Sequence, residues 1–211
     1  PDGRQNIRLF DEHPLTTWFD TFLPTLEYRE NPAVLEGMTE NAIWWLEQTG
    51  ADGFRFDAVK HIPSIFWTEL ALKLRDRFAD ERGELIYSLG ETISDRGTIN
   101  QFLGPDALTG QFDFPLLFSI QGVLGRGQGS MQNLAEEAIR SQNEYPAASI
   151  MSPLAGNHDV VRFMGLADGD LPDGVDHKEL AFNDPPEVDD PMSYRKLQTA
   201  LAFLVALPGP P

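Results

Sequence analysis

Three short segments of this 211-residue chain carry the side chains best suited to chemistry. The first is Gly53-Phe54-Arg55-Phe56-Asp57. On a strand, successive side chains alternate between faces, so Arg55 and Asp57 share one face and Phe54 and Phe56 the other. An Arg beside a carboxylate holds it ionised, as a carboxylate nucleophile requires. The second segment, Leu89-Gly90-Glu91-Thr92, ends an apolar run with a carboxyl group. Partial desolvation there raises the pKa and suits the group to general-acid work. The third, Gly156-Asn157-His158-Asp159, sets a His beside an Asp in a Gly/Asn turn. Such a pair can bind hydroxyls or a metal. Each segment also has a plain structural reading: an ion pair at a strand end, a solvent-facing Glu, and an Asx turn with an exposed His.

Taken together, the three acids are spaced regularly. Asp57 and Glu91 are 34 positions apart, and Glu91 and Asp159 are 68 apart. The first interval is about one β/α unit and the second is twice that. Paired carboxylates are the machinery of glycoside hydrolysis, one as acid and the other as nucleophile or base. Trp18, Trp45, Phe112 and Phe114 can offer flat apolar faces to sugar rings, although each fits a core position better. No His/Asp/Glu group has the close spacing of a transition-metal site.

The elements that position these acids follow from the apolar pattern. Residues 1–30 mix Trp, Phe, Pro and charges without a period and read as packed loop. Asn31-Pro32 reads as a helix start, Asn as cap and Pro at the first helical position. Val34, Leu35, Met38, Ala42, Trp45 and Leu46 make the stripe, and Gly50 closes it. Gly53 to Asp57 then reads as a strand. A second helix starts at Ser64, with Phe66, Leu70, Leu74 and Phe78 at i, i+4 spacing, and ends at Gly83. Glu84 to Leu89 reads as the next strand. Gln111 to Leu116 reads as a strand limited by Pro115, and Ala148 to Leu154 as another. Between them Ser130 caps a helix carrying Met131, Leu134, Ala138 and Ile139. Residues 166–191, with nine acids and one Lys, read as a solvated loop. Pro191 to Leu207 is a final helix, with Tyr194, Leu197, Leu201, Leu204 and Val205 on one stripe. Helices alternating with strands argue for an α/β fold of parallel units. Both a barrel and an open doubly wound sheet have this periodicity. In a barrel, the C-terminal strand ends line the active site. No Gly-x-Gly-x-x-Gly follows a strand, so the nucleotide-binding version lacks its marker.

Composition narrows the partners. Sixteen Lys and Arg against 33 Asp and Glu give a net charge of −17. That balance offers no footprint for nucleic acid or for an anionic membrane face. No apolar stretch is long enough to span a bilayer. The chain has no Cys, hence no disulfide framework, thiol nucleophile or thiolate metal site. Its 41% hydrophobic content can support a core.

At this point the segments resemble a known family. Gly53 to His61, Gly-Phe-Arg-Phe-Asp-Ala-Val-Lys-His, resembles the second signature of the α-amylase family of glycoside hydrolases. Gly90-Glu91-Thr92 resembles the third and Gly156-Asn157-His158-Asp159 the fourth. Leu23-Pro24-Thr25-Leu26-Glu27 resembles a weaker fifth segment, with Thr25 where many relatives carry Asp. The resemblance implies a (β/α)8 TIM barrel and a retaining mechanism on the α-glucosidic bonds of starch, maltodextrin or related oligosaccharides. It makes Asp57 the nucleophile, Glu91 the acid/base, and Asp159 the stabiliser of the distorted sugar ring. Arg55 supports Asp57, His158 binds hydroxyls of the cleaved unit, and Lys60 and His61 sit on the leaving-group side. An α-glucanotransferase shares every one of these residues, and a non-catalytic amylase-like subunit would usually lack one of the acids.

Against the family pattern, residues 1–30 are the tail of the excursion after barrel strand three. Residues 31–211 are a partial catalytic barrel, about strands four to seven with their helices. The first signature is absent and the chain stops before strand eight. A 211-residue piece is therefore expected to be weakly active or inactive by itself. The chemistry needs no cofactor. A structural calcium, to which the residue matching His61 gives its carbonyl in calcium-binding relatives, belongs to the intact enzyme. Secretion or a periplasmic location is favoured over the cytoplasm.

Overall fold

The computed structural model describes residues 7–9 and 12–211, so the opening run Pro1 to Asn6 lies outside the described residues. The chain forms two compact units. One comprises the residues up to Ile93 together with Gly97–Gln111, and the other comprises Ser94–Arg96 with Phe112–Pro211. Among the described residues, no helix is long and apolar enough to cross a membrane.

In the first unit, helix α1 (Pro32–Thr49) begins and ends as its sequence dictates. The Asn31 side chain accepts the Val34 N–H, and Gly50, at φ 65°, turns the chain out while its N–H returns to the Leu46 carbonyl at 2.8 Å. Its buried face is Thr39, Ile43 and Leu46. Met38 and Trp45, expected in the stripe, flank that face and stay exposed. Strands β1 (Gly53–Phe56) and β2 (Tyr87–Gly90) pair in parallel, Gly53 opposite Tyr87 and Phe56 opposite Gly90. A Cβ at Gly53 would strike the Tyr87 carbonyl, and one at Gly90 would press on the ends of the Leu108 and Gln111 side chains.

Helix α2 (Ser64–Leu74) makes the crossover between β1 and β2 and runs on as a π-helical turn, Arg75–Asp80. The four residues of its expected stripe are all buried. Phe56 of β1 meets Trp67 edge to face, with centroids 5.2 Å apart. Such burial contributes about 1.5–3 kcal/mol per large side chain. Strand β2 starts later than Glu84 because Glu84, Leu85 and Ile86 lie outside the ladder. Helix α3 (Arg96–Asn100) leads to β3 (Gly110–Gln111), which pairs in parallel with β2 and completes the order β1-β2-β3.

The second unit corrects two expected strands. Gln111 to Leu116 is not one strand: Phe112 makes a single parallel bridge with Ser152, and helix α4 (Phe114–Ile120) starts two residues later. The Asp113 carboxylate caps α4 by accepting the Leu116 N–H at 3.2 Å. Pro115 sits in the first turn, where its missing N–H costs nothing. Ala148 to Leu154 likewise reduces to the bridge at Ser152. Helix α4 continues as a π-helical turn, Gln121–Gly125.

Helix α5 (Met131–Asn143) has the expected Ser130 cap, completed as a capping box by Asn133. It buries Leu134 and Ala138 but leaves Met131 and Ile139 exposed. Within the stretch read as loop stand α6 (Phe163–Asp168), which starts just before it, and α7 (His177–Asn183). Helix α8 (Pro191–Ala206) buries Ser193, Ala200 and Leu204, while Tyr194, Leu201 and Val205 of the expected stripe face out. The core of this unit joins Leu116, Ile120, Leu134, Phe163, Ala200 and Leu204.

Candidate active site

In the first unit, Asp57 follows β1 and Glu91 follows β2, so parallel pairing brings the two acids to the same end of neighbouring strands. Arg55 stands on the same strand face as Asp57, as the period-two pattern requires. Its guanidinium holds both carboxylates: one nitrogen is 2.7 Å from Asp57 Oδ1, and the other is 2.8 Å from Glu91 Oε1. The two acids live in different surroundings. The Asp57 side chain is 69% exposed, that of Glu91 only 6%.

Burial is the main reason that the Glu91 carboxyl is pushed up from 4.5 to about 7. A hydrogen bond with the Asp57 carboxyl pushes the same way. The Arg55 charge and the Ala58 N–H, 3.4 Å from Glu91 Oε2, pull it back down. One acid is thus exposed and ion-paired, and the other is buried with a proton available near neutrality. That division of environments separates a nucleophile from an acid.

Two residues past Asp57 begins a single 3-10 turn, Val59–His61. Ala58 enters it in the left-handed region, at φ 50°, a backbone state that non-Gly residues seldom adopt outside special sites. The His61 ring packs against Phe19, with centroids 4.8 Å apart. Burial, with help from the Lys60 charge and against the pull of Asp57, lowers His61 to about 4, so its imidazole is neutral at physiological pH. Asp57 and His61 border a cavity of about 310 Å³ whose other walls include Phe19, Leu23, Pro24 and Leu26. Lys60 extends to the Ile93 carbonyl, 3.1 Å away.

His158 and Asp159 belong to the second unit. There the two side chains lie 3.3 Å apart, both well exposed. The Asn157 side chain accepts the N–H groups of Asp159 and Val160, so the Asx turn is real and it presents the pair. Of the four aromatics considered as sugar platforms, only Phe114 is fully buried core; Trp45 is exposed, and Trp18 and Phe112 are half-buried.

Sequence reasoning missed Phe19, Ala58 and Ile93. Nothing local in the sequence marks a left-handed Ala or a carbonyl acceptor. Among the described residues, no three His, Asp or Glu side chains gather as a metal set. Side chains alone therefore supply no calcium site among the described residues.

Residues 11–181 match the model of the α-amylase catalytic domain. An α-amylase of Streptomyces lividans is 29% identical over 162 residues, which cover 72% of this chain and 17% of that protein. A β/α-amylase of Paenibacillus polymyxa is 31% identical over 148 residues, covering 66% of this chain and 11% of that one. Among solved structures, the α-amylase of Geobacillus thermoleovorans, crystallised with acarbose, superposes with a TM-score of 0.72 at 28% identity. That match covers 93% of this chain and 38% of the amylase. The chain thus spans well under half the length of these relatives, and its fold is part of a (β/α)8 barrel. With a catalytic-domain match over residues 11–181, most of its length, the chain belongs to the α-amylase family of glycoside hydrolases.

Proposed function

We propose that this chain carries the reacting pair of a retaining glycoside hydrolase acting on α-glucosidic bonds of starch, maltodextrin or related oligosaccharides once the barrel around it is complete. One observation carries the reading: Arg55 bridges an exposed Asp57 and a buried Glu91 whose pKa is pushed to about 7. Glu91, as the acid, gives its proton to the glycosidic oxygen as the bond from that oxygen to the anomeric carbon breaks. An Asp57 oxygen bonds to the same carbon and forms a glycosyl-enzyme ester. Water then attacks that carbon while the Glu91 carboxylate takes the water's proton. The ester bond breaks, which restores the Asp57 carboxylate and the Glu91 acid. Arg55 keeps Asp57 ionised, and neutral His61 offers hydrogen bonds on the leaving side without competing for the proton. His158 binds sugar hydroxyls, and Asp159 stabilises the oxocarbenium-like ring.

The calcium of a complete domain would take the His61 carbonyl from this chain and its remaining ligands from outside it. The cavity beside Asp57, walled largely by apolar side chains, favours one second reading. There an acceptor sugar rather than water resolves the ester, as in a glucanotransferase. Products formed with and without added glucose separate the two.

Mass spectrometry of a Glu91→Gln variant of the complete enzyme tests the main reading. With maltosyl fluoride, whose leaving group needs no acid, a maltosyl ester should accumulate on Asp57. An adduct elsewhere, or unchanged turnover of maltoheptaose by the variant, would refute it.

A further inference from the structure

The family resemblance assigns Lys60 to the leaving-group side as a substrate-binding residue. In this structure its ammonium donates to the backbone beyond the acid, at the Ile93 carbonyl 3.1 Å away. Other bonds also join residues 56–60 to residues 91–93. The Glu91 N–H donates to the Phe56 carbonyl at 2.8 Å, and the Val59 N–H donates to the Glu91 carbonyl at 2.9 Å. The left-handed turn at Ala58 aims its N–H at the Glu91 carboxylate, 3.4 Å away.

The need for such a clamp is visible in the chain path. Strand β2 ends at Gly90, and no regular element resumes until Arg96. Glu91 therefore stands on the first residue of an irregular stretch. Its own backbone bonds hold Glu91 at one end. Ile93 is the last residue of the first unit before the chain leaves it, and the Lys60 ammonium is what reaches it. A charged donor on a carbonyl makes a bond stronger than a neutral one. An acid must be held to within about 0.5 Å to protonate its leaving group efficiently.

We propose that Lys60 is a positioning residue for the acid/base, fixing the 91–93 segment through the Ile93 carbonyl. This rests on the reading of Glu91 as the acid. Two aryl α-maltosides, phenyl and 4-nitrophenyl, test it in the complete enzyme, because neither places a sugar on the leaving side. Phenol needs the acid's proton far more than 4-nitrophenol does. Lys60→Met should lower kcat on the phenyl substrate about tenfold more than on the 4-nitrophenyl one, with KM nearly unchanged. Lys60→Arg, which keeps a charged donor, should recover most of the loss. Two aryl substrates turned over at the parent rate, with a raised KM for maltoheptaose alone, would overturn the proposal. So would an equal loss on both.

Amide exchange in the 211-residue chain gives a readout independent of turnover. Lys60→Met should speed exchange at Val59, whose N–H is bonded to Glu91, by about tenfold, and leave helix α1 unchanged. Unchanged exchange at Val59 would count against the proposal. A parent enzyme inactive on every maltoside would instead defeat the functional reading, and the exchange result would still decide the role of Lys60.

Discussion

Arg55 and Glu91 are joined at 2.8 Å across the β1–β2 pair, by a guanidinium that also holds Asp57 at 2.7 Å. The ion pair lowers the Glu91 pKa while burial raises it, and burial has the larger effect. Arg55 therefore limits how basic the acid becomes. Replacing Arg55 with Ala should move the basic limb of the kcat/KM profile of the complete enzyme to higher pH. It should also lower kcat, because Asp57 loses its partner, by roughly the 10²–10³-fold typical of losing one aimed donor. Arg55→Lys, one charge without the fork, should fall between the two. A basic limb that stays in place would show that Arg55 does not act on Glu91.

The same balance governs stability. The Glu91 pKa in the folded chain, about 7, lies above its ordinary 4.5. A carboxyl raised in this way binds its proton more tightly in the folded state, so folding loses stability as pH rises from 4.5 to about 7. Below 4.5 both states are protonated and the cost vanishes. Glu91→Gln, which cannot ionise, should therefore raise the melting temperature of the chain at pH 8, and the gain should shrink toward pH 4. A gain independent of pH would mean that burial of charge is not its source.

His61 shows the opposite sign. Its folded-state pKa, about 4, is depressed from 6.5 by burial and by Lys60. The contribution of neutral His61 is complete above 6.5 and is lost as pH falls from there toward 4. In the nuclear magnetic resonance spectrum its ring signals should hold their neutral shifts down to about pH 5. An ordinary midpoint near 6.5 would contradict the half-buried ring packed against Phe19.

Much of the site was legible in one dimension because strand alternation is strict. A period of two sets Arg55 beside Asp57, and one crossover unit carries the chain from Asp57 to Glu91. Helix ends were also readable where a cap and a Gly mark them, at Asn31 and Gly50 and at Ser130. The misreadings have physical causes. Phe112, Phe114 and Leu116 look like a strand until Asp113 is recognised as a cap with Pro115 in the first turn. The large side chains of α8 suggest one stripe, whereas the buried line runs through Ser193 and Ala200, because close packing admits small residues there. The position of Ile93 under Lys60 depends on contacts 33 residues apart, which no local pattern encodes.

The second unit offers a test of how its acid network is held. Arg96, 7% exposed, donates to Glu137 at 2.7 Å and to Glu144 at 3.3 Å, and stacks over the Tyr145 ring. The Tyr145 hydroxyl donates to Asp113 at 3.0 Å, the same carboxylate that caps α4. Burial and the neighbouring Asp113 push the Tyr145 hydroxyl well above its ordinary range, so it remains a donor at all working pH values. Removing Arg96 leaves the buried Asp113 charge without a cation and Glu137 with only the exposed Arg140, 3.3 Å away. Removing one partner of a buried pair costs about 3–5 kcal/mol, and Arg96→Met should cost at least the lower figure in urea unfolding. Tyr145→Phe removes only one of two donors to Asp113 and should cost about 1–2 kcal/mol. Arg140, exposed on α5 and paired with Glu137 and Glu144, should cost far less on change to Ala, because solvent screens its pairs. If Arg96→Met and Arg140→Ala were equally mild, water would have to reach the Arg96 cluster, and the cap on α4 would not depend on it.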